Sequence, residues 1–173
     1  MTALDGRGIF GVWLDSNAAA LVTYTEICAQ GSYCPGGRGA TAVDCPAGYI
    51  CPMADMLEPE VCPPGYYSST TGASTCSQCL AGKICPTAGL TSHQLCPQGF
   101  ICDASALITP SGICSAGKTC SAGLFSPNSG SSCPVGFFCL IGTSPSGYLT
   151  PQECVAGTIC KTGASKPTGT QLC

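Results

Sequence analysis

The chain has 173 residues, of which 17 are Cys and only 9% are charged, and its formal net charge is −3. Its six basic residues are scattered singly, so no basic patch could neutralise several phosphates, and we expect no nucleic-acid partner. No run of about 18 or more uncharged apolar residues occurs, so we expect no membrane span in this segment.

The cysteine content indicates an extracellular protein. Cys near a tenth of all residues is typical of a disulfide scaffold, and such bonds persist outside the cytosol. A zinc ribbon would need two C-x-x-C knuckles, whereas the sequence has one, at Cys76 and Cys79. We therefore expect a small disulfide-rich fold with little or no helix, and neither a metal nor a cofactor.

The N-terminal segment, residues 1–27, contains no Cys. Two apolar stretches, GIFGVWL at 8–14 and AAALVTYTEI at 18–27, flank a turn-prone Asp-Ser-Asn triplet and predict a β-hairpin. This segment either caps the first repeat or acts as a docking arm, which would insert into a neighbouring copy and polymerise the protein head to tail. The residues of that docking arm would be Ile9, Phe10 and Trp13.

Residues 28–173 consist of tandem repeats of about 17–21 residues. Each repeat opens with the motif C-x-x-G-x-x-C, as in CPAGYIC at 45–51. The third copy, CPPGYYS, has Ser68 in place of the second Cys and gains Cys76. We number the repeats 1 to 8 by their first Cys: Cys28, Cys45, Cys62, Cys79, Cys96, Cys114, Cys133 and Cys154.

Gly stands at position four of every motif, which predicts a positive φ or a close chain approach. The next two positions are mostly aromatic or β-branched, as in Tyr49 and Ile50, and favour a very short strand. A repeat this short lies far below the roughly 40 residues under which a domain usually needs disulfides, metals or oligomerisation to be stable. Disulfides must therefore replace a hydrophobic core within each repeat. We therefore predict an elongated tandem array of short β-hairpin or irregular repeats, in which apolar residues bury against the neighbouring repeat.

Two disulfide schemes fit the spacing. One pairs the two Cys of each motif, and the other bridges adjacent repeats, for example Cys34 with Cys45, and forces Cys76 onto Cys79. The first is favoured because its loop keeps a constant length while the spacers vary. It predicts Cys28–Cys34, Cys45–Cys51, Cys62–Cys76, Cys79–Cys85, Cys96–Cys102, Cys114–Cys120, Cys133–Cys139 and Cys154–Cys160, and it leaves Cys173 unpaired or bonded to another chain.

The segment CPPGYYSSTTGASTCSQC at 62–79 closely resembles the ephrin-receptor-like cysteine-rich repeat. Its C-x-x-G-x-[YF] opening also resembles the first module of tumour-necrosis-factor-receptor cysteine-rich domains, and this likeness implies the Cys62–Cys76 bond. The other repeats resemble the CPAGYYC-type repeats of surface and mastigoneme-like proteins of protists and algae. The resemblance covers residues 28–173 and implies an extracellular repeat found in receptors, surface coats and filament subunits alike.

The spacers between the motifs are rich in Ser, Thr, Pro and Gly, as turns are. No N-x-[ST] acceptor occurs, so any glycosylation must be O-linked. Because 45% of the residues are hydrophobic and few are charged, we expect O-glycans to provide solubility. The candidate positions, each also typical of an ordinary turn, are Thr109, Ser126, Ser144, Ser146, Thr150, Ser165 and Thr168.

We expect no enzyme site. His93 has no evident nucleophile partner, and Glu58 and Glu60 are typical of a solvated loop. The sequence predicts an extracellular structural protein of a cell surface or surface appendage, whose partners are copies of itself and covalent O-glycans. The alternative is an ectodomain fragment of a receptor or adhesion protein that binds a protein ligand along its repeats.

Overall fold

The computed structural model describes residues 12–13, 22–23, 28–37, 40–147, 149–167 and 171–172. Within these ranges the chain has no helix, and its strands pair as nine antiparallel two-stranded sheets. The predicted class of small disulfide-rich hairpin repeats is therefore confirmed. The strands are β1 (Val12–Trp13), β2 (Val22–Thr23), β3 (Ser32–Tyr33), β4 (Val43–Asp44), β5 (Tyr49–Ile50), β6 (Glu60–Val61), β7 (Tyr66–Tyr67), β8 (Ser77–Gln78), β9 (Lys83–Ile84), β10 (Gln94–Leu95), β11 (Phe100–Ile101), β12 (Gly112–Ile113), β13 (Lys118–Thr119), β14 (Ser131–Ser132), β15 (Phe137–Phe138), β16 (Gln152–Glu153), β17 (Thr158–Ile159) and β18 (Gln171–Leu172).

Each repeat contributes one hairpin. Its first strand follows the Gly at position four, and its second strand immediately precedes the first Cys of the next motif. In repeat 2, β5 pairs with β6 in the register Tyr49↔Val61. The same register recurs in repeat 5, where Phe100 lies opposite Ile113. Seven such hairpins follow one another from β3–β4 to β15–β16.

A tight turn explains the Gly at position four. In repeat 2 the Tyr49 N–H donates to the Pro46 carbonyl at 3.1 Å, and Gly48 has a φ of 87°. This is the pattern of a type II β-turn, whose third residue requires a positive φ. Gly adopts that conformation without the cost of about 1–2 kcal/mol that other L-residues incur. The turn therefore sets the direction in which the first strand of each hairpin leaves the motif.

Adjacent repeats are joined by main-chain hydrogen bonds. From repeat 2 to repeat 3, the Gly48 N–H donates to the Ser68 carbonyl at 2.8 Å. The Cys51 N–H donates to the carbonyl of Ala73 at 2.9 Å. Equivalent bonds recur at every junction between repeats 1 and 8. At each junction, the N–H of the residue at position seven donates to a carbonyl in the next repeat. We call the residue that carries this carbonyl, here Ala73, the loop acceptor.

A third bond returns from the loop to the preceding repeat. The Gly72 N–H donates to the Cys45 carbonyl at 2.8 Å, and Gly72 has a φ of 71°. We call the residue that donates this bond the loop donor, and we call the three bonds together the junction ladder. The loop donors of repeats 2 to 8, all with positive φ, are Asp55, Gly72, Gly89, Ala106, Gly123, Gly142 and Gly163.

Packing also reaches the repeat after next. A Cβ atom on Gly82 in repeat 4 would lie 2.5 Å from the Gly123 carbonyl oxygen in repeat 6. A Cβ atom on Gly65 in repeat 3 would lie 2.7 Å from the Ala106 carbonyl oxygen in repeat 5. Both distances are too short for a real side chain. These repeats thus contact the repeat after next as well as the adjacent one, whereas the sequence predicted contacts between adjacent repeats alone.

The buried interior consists largely of cystine. Nearly all the half-cystines are buried, and the large aliphatic residues with them are Ile84 and Ile101. Ile101, at position six of repeat 5, clusters with Cys114 and Cys120 of repeat 6, and Leu124 packs against this cluster. Each such cluster therefore places an aliphatic side chain of one repeat on the disulfide of the next.

Candidate assembly surface

Eight disulfides staple the array, and their pairing is that of the scheme within each motif. Their Cα–Cα distances of 5.8–6.2 Å lie in the usual range. Cys173 lies outside the described residues. The bonds are Cys28–Cys34, Cys45–Cys51, Cys62–Cys76, Cys79–Cys85, Cys96–Cys102, Cys114–Cys120, Cys133–Cys139 and Cys154–Cys160.

Repeat 3 differs in its disulfide but keeps its junction ladder. Ser68 occupies position seven and is only 3% exposed. Its N–H donates to the Leu90 carbonyl at 3.0 Å, and its own carbonyl accepts from Gly48. Cys62 bonds instead to Cys76, at a sequence separation of 14. The ladder therefore does not require a Cys at position seven.

The side chains considered for catalysis have ordinary surroundings. The half-buried His93 ring meets the Tyr67 ring edge to face, with centroids 5.5 Å apart. Glu58 and Glu60 are exposed. Across the described ranges, no three His, Cys, Asp or Glu side chains are grouped so as to hold a metal ion. The same ranges contain no helix long and apolar enough to cross a membrane.

The predicted docking arm is described only in part. β1 and β2 pair antiparallel in the register Val12↔Thr23. Trp13 belongs to β1, whereas Ile9 and Phe10 lie outside the described residues. The choice between a cap and a docking arm therefore stays a prediction.

The predicted glycan positions differ in exposure. Ser144 is only 2% exposed, and its Oγ accepts a hydrogen bond from the Gly147 N–H at 2.9 Å. A buried, bonded hydroxyl cannot carry a glycan in this fold, so Ser144 is withdrawn as a candidate. Thr109, Ser146 and Thr150 are exposed, Ser126 and Ser165 are partly exposed, and Thr168 lies outside the described residues.

The position-four glycines of repeats 7 and 8 differ in exposure from those of the earlier repeats. The position-four glycines of repeats 1 to 6 are buried, whereas Gly136 and Gly157 are exposed. A Cβ atom on either would meet no atom of the described residues within 4 Å. Among the described residues, no main-chain partner is found for the N–H groups of Gly157 and Cys160 or for the carbonyl of Cys154. These are the groups through which earlier repeats bind the next repeat.

These groups border a shallow groove of about 450 Å³, lined by residues 135–137 and 153–160, which we call the end groove. Val135 and Val155 on its walls are 66% and 52% exposed, and Ile159 is 42% exposed. The end groove thus combines apolar walls with main-chain groups that have no main-chain partner within the described ranges.

Sequence reasoning missed the loop donor. A signal was present, because a second Gly stands in TGA at 71–73 and AGL at 88–90, followed in each case by the loop acceptor. Two repeats conceal it, since Asp55 and Ala106 adopt the left-handed conformation in place of Gly. The signal also moves, because the loop donor lies four residues after position seven up to repeat 5 and three residues after it from repeat 6.

The disulfide framework indicates an extracellular or secreted protein, because structural disulfides persist in oxidising compartments and are rare in the cytosol. No protein-family model matches the chain, and no curated protein matches it either.

Proposed function

We propose that the protein is an extracellular structural protein, a subunit that assembles head to tail into a glycosylated filament or surface coat. The observation that carries the proposal is the junction ladder, repeated with the same three bonds from repeat 1 to repeat 8. Main-chain bonds and disulfides give such an array its cohesion, and its stability is local and nearly additive along the chain. The likeness to repeats of surface and mastigoneme-like proteins supports this role.

The surface of the array also favours assembly. Met53 is 65% exposed, and Leu57 and Leu80 are each 61% exposed, in a chain of which only 9% is charged. Exposed apolar surface usually marks an interaction site. Contacts with further copies and a covering of glycan would both shield these side chains from water.

The two ends of a tandem array differ from each other, so a contact between them is heterologous. Such contacts produce open filaments when the rotation between copies does not close a ring. The apolar N-terminal segment, residues 1–27, provides a candidate for one side of that contact. A filament would therefore grow by one kind of joint.

Electron microscopy of the purified, oxidised protein tests the proposal. We expect filaments or sheets with a regular axial repeat, and sedimentation that depends on protein concentration. Dispersed monomers at all concentrations would contradict self-assembly and favour the receptor or adhesion alternative. A variant lacking residues 1–27 separates the two N-terminal roles, because unaltered assemblies would exclude the docking arm.

O-glycosylation is tested by the intact mass of protein from its native source. We expect a mass above that of the polypeptide less its disulfide hydrogens, with glycans mapped by electron-transfer fragmentation to exposed spacer positions such as Thr109 and Thr150. Ser144 provides an internal control, since its buried hydroxyl is expected to stay unmodified. An intact mass equal to that of the bare oxidised polypeptide would contradict the glycoprotein assignment.

The receptor or adhesion alternative draws on a different feature. Tyr49 and Phe100 are 37% and 41% exposed, and each lies across its hairpin from an exposed aliphatic residue. Exposed aromatic side chains commonly anchor protein interfaces. This alternative predicts a monomeric array that binds a protein ligand through those hairpins.

A further inference from the structure

The disulfide of repeat 3 differs from most of the others in its exposure to solvent. Cys62 is 0% exposed, but its partner Cys76 is partly exposed. In repeats 1, 2 and 4 to 7, both half-cystines of each bond are buried, with exposures of 0–3%. Among the described half-cystines, Cys154 beside the end groove is the other one that is partly exposed. Because the rate of thiol–disulfide exchange depends on access to the attacked sulfur, an external thiol reaches Cys76 more easily than a buried sulfur.

Cys76 also lies outside the junction ladder. At position one of a motif the Cys carbonyl accepts from the loop donor, and at position seven the Cys N–H donates to the loop acceptor. The half-cystines of the other bonds all occupy these two positions. Cys76 instead lies between the loop acceptor Ala73 and β8, and no bond of the ladder includes its main chain. A change at the Cys76 sulfur therefore removes none of these main-chain bonds.

Repeat 3 keeps its place in the array without a disulfide at position seven, because Ser68 makes the main-chain bonds of that position. The Cys62 N–H donates to the Gly48 carbonyl at 3.0 Å, and the Cys62 carbonyl accepts from the Gly89 N–H at 2.9 Å. These bonds connect repeat 3 to repeats 2 and 4, whose own disulfides are buried. They hold Cys62 in position when its bond to Cys76 opens.

We infer that Cys62–Cys76 is a thiol-exchange site, at which a low-molecular-weight thiol becomes bonded to Cys76 while the array stays folded. The thiolate of the incoming molecule attacks the Cys76 Sγ and forms a new S–S bond with it. The bond between Cys76 and Cys62 breaks, and its electron pair goes to the Cys62 Sγ, which takes up a proton. One disulfide replaces another, so the step needs no further oxidant or reductant. The inference applies to a single chain, whether or not that chain assembles.

Burial determines which of the two sulfurs carries the adduct. Cys62 is 0% exposed and out of reach of an external thiol, whereas Cys76 lies in the hairpin loop. After the exchange, Cys62 stays beside the mixed disulfide because the ladder fixes its main chain. Its thiolate can then attack Cys76 and expel the bound molecule, so the modification is reversible.

Reduced glutathione, added to the oxidised full chain without denaturant, tests the site. Samples taken over time are alkylated to trap free thiols and mapped by mass spectrometry under non-reducing conditions. We expect glutathione on Cys76 and an alkyl group on Cys62. We also expect this exchange to be at least about tenfold faster than exchange at the six bonds whose half-cystines are both buried, because access to the sulfur limits the rate.

Each part of the inference has a result that overturns it. Glutathione found on Cys62 contradicts the assigned sulfur. A Cys62–Cys76 bond that opens no faster than the buried Cys96–Cys102 bond contradicts the site. Hydrogen exchange of the isolated adduct tests the fold, and we expect repeats 2 to 4 to keep their amide protection. Loss of that protection shows that the array does not stay folded and overturns the inference.

The double variant Ser68→Cys with Cys76→Ser is the matched control, since it moves one half-cystine from the loop to the buried position seven. We expect exchange in repeat 3 of this variant to slow to the rate of the other buried bonds. Exchange as fast as in the wild type would show that the exposure of Cys76 is not the cause, and would overturn the inference. Where the variant stays reduced, the comparison of bonds within the wild-type chain decides.

Discussion

A methyl group at position four would force apart repeats that are two places apart along the array. Gly82 and Gly136 have nearly the same φ, 81° and 83°. A Cβ atom on Gly82 would lie 2.5 Å from the Gly123 carbonyl oxygen, whereas one on Gly136 would meet no atom of the part of the chain that the structure describes within 4 Å. The pair therefore separates the cost of the backbone conformation from the cost of the close approach.

We expect Gly136→Ala to lower the local free energy of unfolding by about 1–2 kcal/mol, the cost of a left-handed Ala. Gly82→Ala should lower it further, because a backbone carbonyl must also move. Amide hydrogen exchange followed by mass spectrometry measures both effects by region, as suits a chain that opens locally. Equal losses of protection in the two variants would contradict the close approach between repeats 4 and 6.

Within the hairpins, the aliphatic side chain at position six connects one repeat to the cystine of the next. Ile101 is 2% exposed and clusters with Cys114 and Cys120. Ile141, of the same residue type, is 61% exposed. The difference in burial gives these two isoleucines different expected contributions to stability.

We expect Ile101→Ala to destabilise repeats 5 and 6 by about 2–5 kcal/mol, since it removes buried methyl groups from a packed site. Ile141→Ala should change stability by less than about 0.5 kcal/mol. Thermal unfolding followed by circular dichroism, with hydrogen exchange to locate the change, measures both. Similar destabilisation by the two substitutions would show that position six is not a packing site.

Repeat 3 offers a test of how the motif determines its own disulfide. Ser68 already occupies position seven, is buried, and makes the main-chain bonds of that position. We therefore expect Ser68→Cys combined with Cys76→Ser to form a bond between Cys62 and the thiol introduced at position seven, like the bonds of the other repeats.

Peptide mapping under non-reducing conditions identifies the pairing of this double variant. The single variant Cys76→Ser is the control and should leave Cys62 as a free thiol. A double variant in which Cys62 and the introduced thiol both stay reduced would show that the longer loop of repeat 3 is required for oxidation there.

The local features of the hairpins and the apolar packing between neighbouring repeats were predictable from the sequence, whereas the main-chain bonds between repeats were not. Gly48 and the two residues after it indicate a turn followed by a short strand, because turn chemistry depends on adjacent residues. The junction ladder joins main-chain atoms of distant residues, such as Gly48 with Ser68. A second Gly, such as Gly72, can mark the loop donor, but it does not indicate which distant carbonyl accepts the bond.

In the candidate site, too, the chemical character of the residues was predictable from the sequence, whereas their exposure was not. Val135 and Val155 could be recognised as apolar from the sequence, but their exposure depends on how repeats 7 and 8 pack. The burial of Ser144 likewise depends on tertiary structure, since its Oγ donates to the Leu149 carbonyl and accepts from Gly147. Composition alone indicated an exposed spacer there.

For the whole molecule, stability should depend on oxidised sulfur and not on bound ions. Short repeats that bury mainly cystine have little apolar core to retain once their bonds are reduced.

We expect a phosphine reductant without denaturant to abolish amide protection throughout residues 28–167, whereas a chelator leaves it unchanged. Hydrogen exchange of the treated and untreated chains measures both effects. A chelator that unfolds the chain, or native material whose thiols are free, would contradict a disulfide framework.

The junction ladder leaves most side chains outside the joints between repeats. Between the loop acceptor and the first Cys of the next motif lie five residues where these are Ala73 and Cys79, and ten where they are Thr143 and Cys154, yet the ladder is the same. The loop at the tip of each hairpin, between the loop acceptor and the second strand, can thus lengthen without disturbing the main-chain bonds between repeats. Gene duplication could extend such a chain one repeat at a time, while mutation diversifies the tips, and a designer could graft foreign peptides into those same tips.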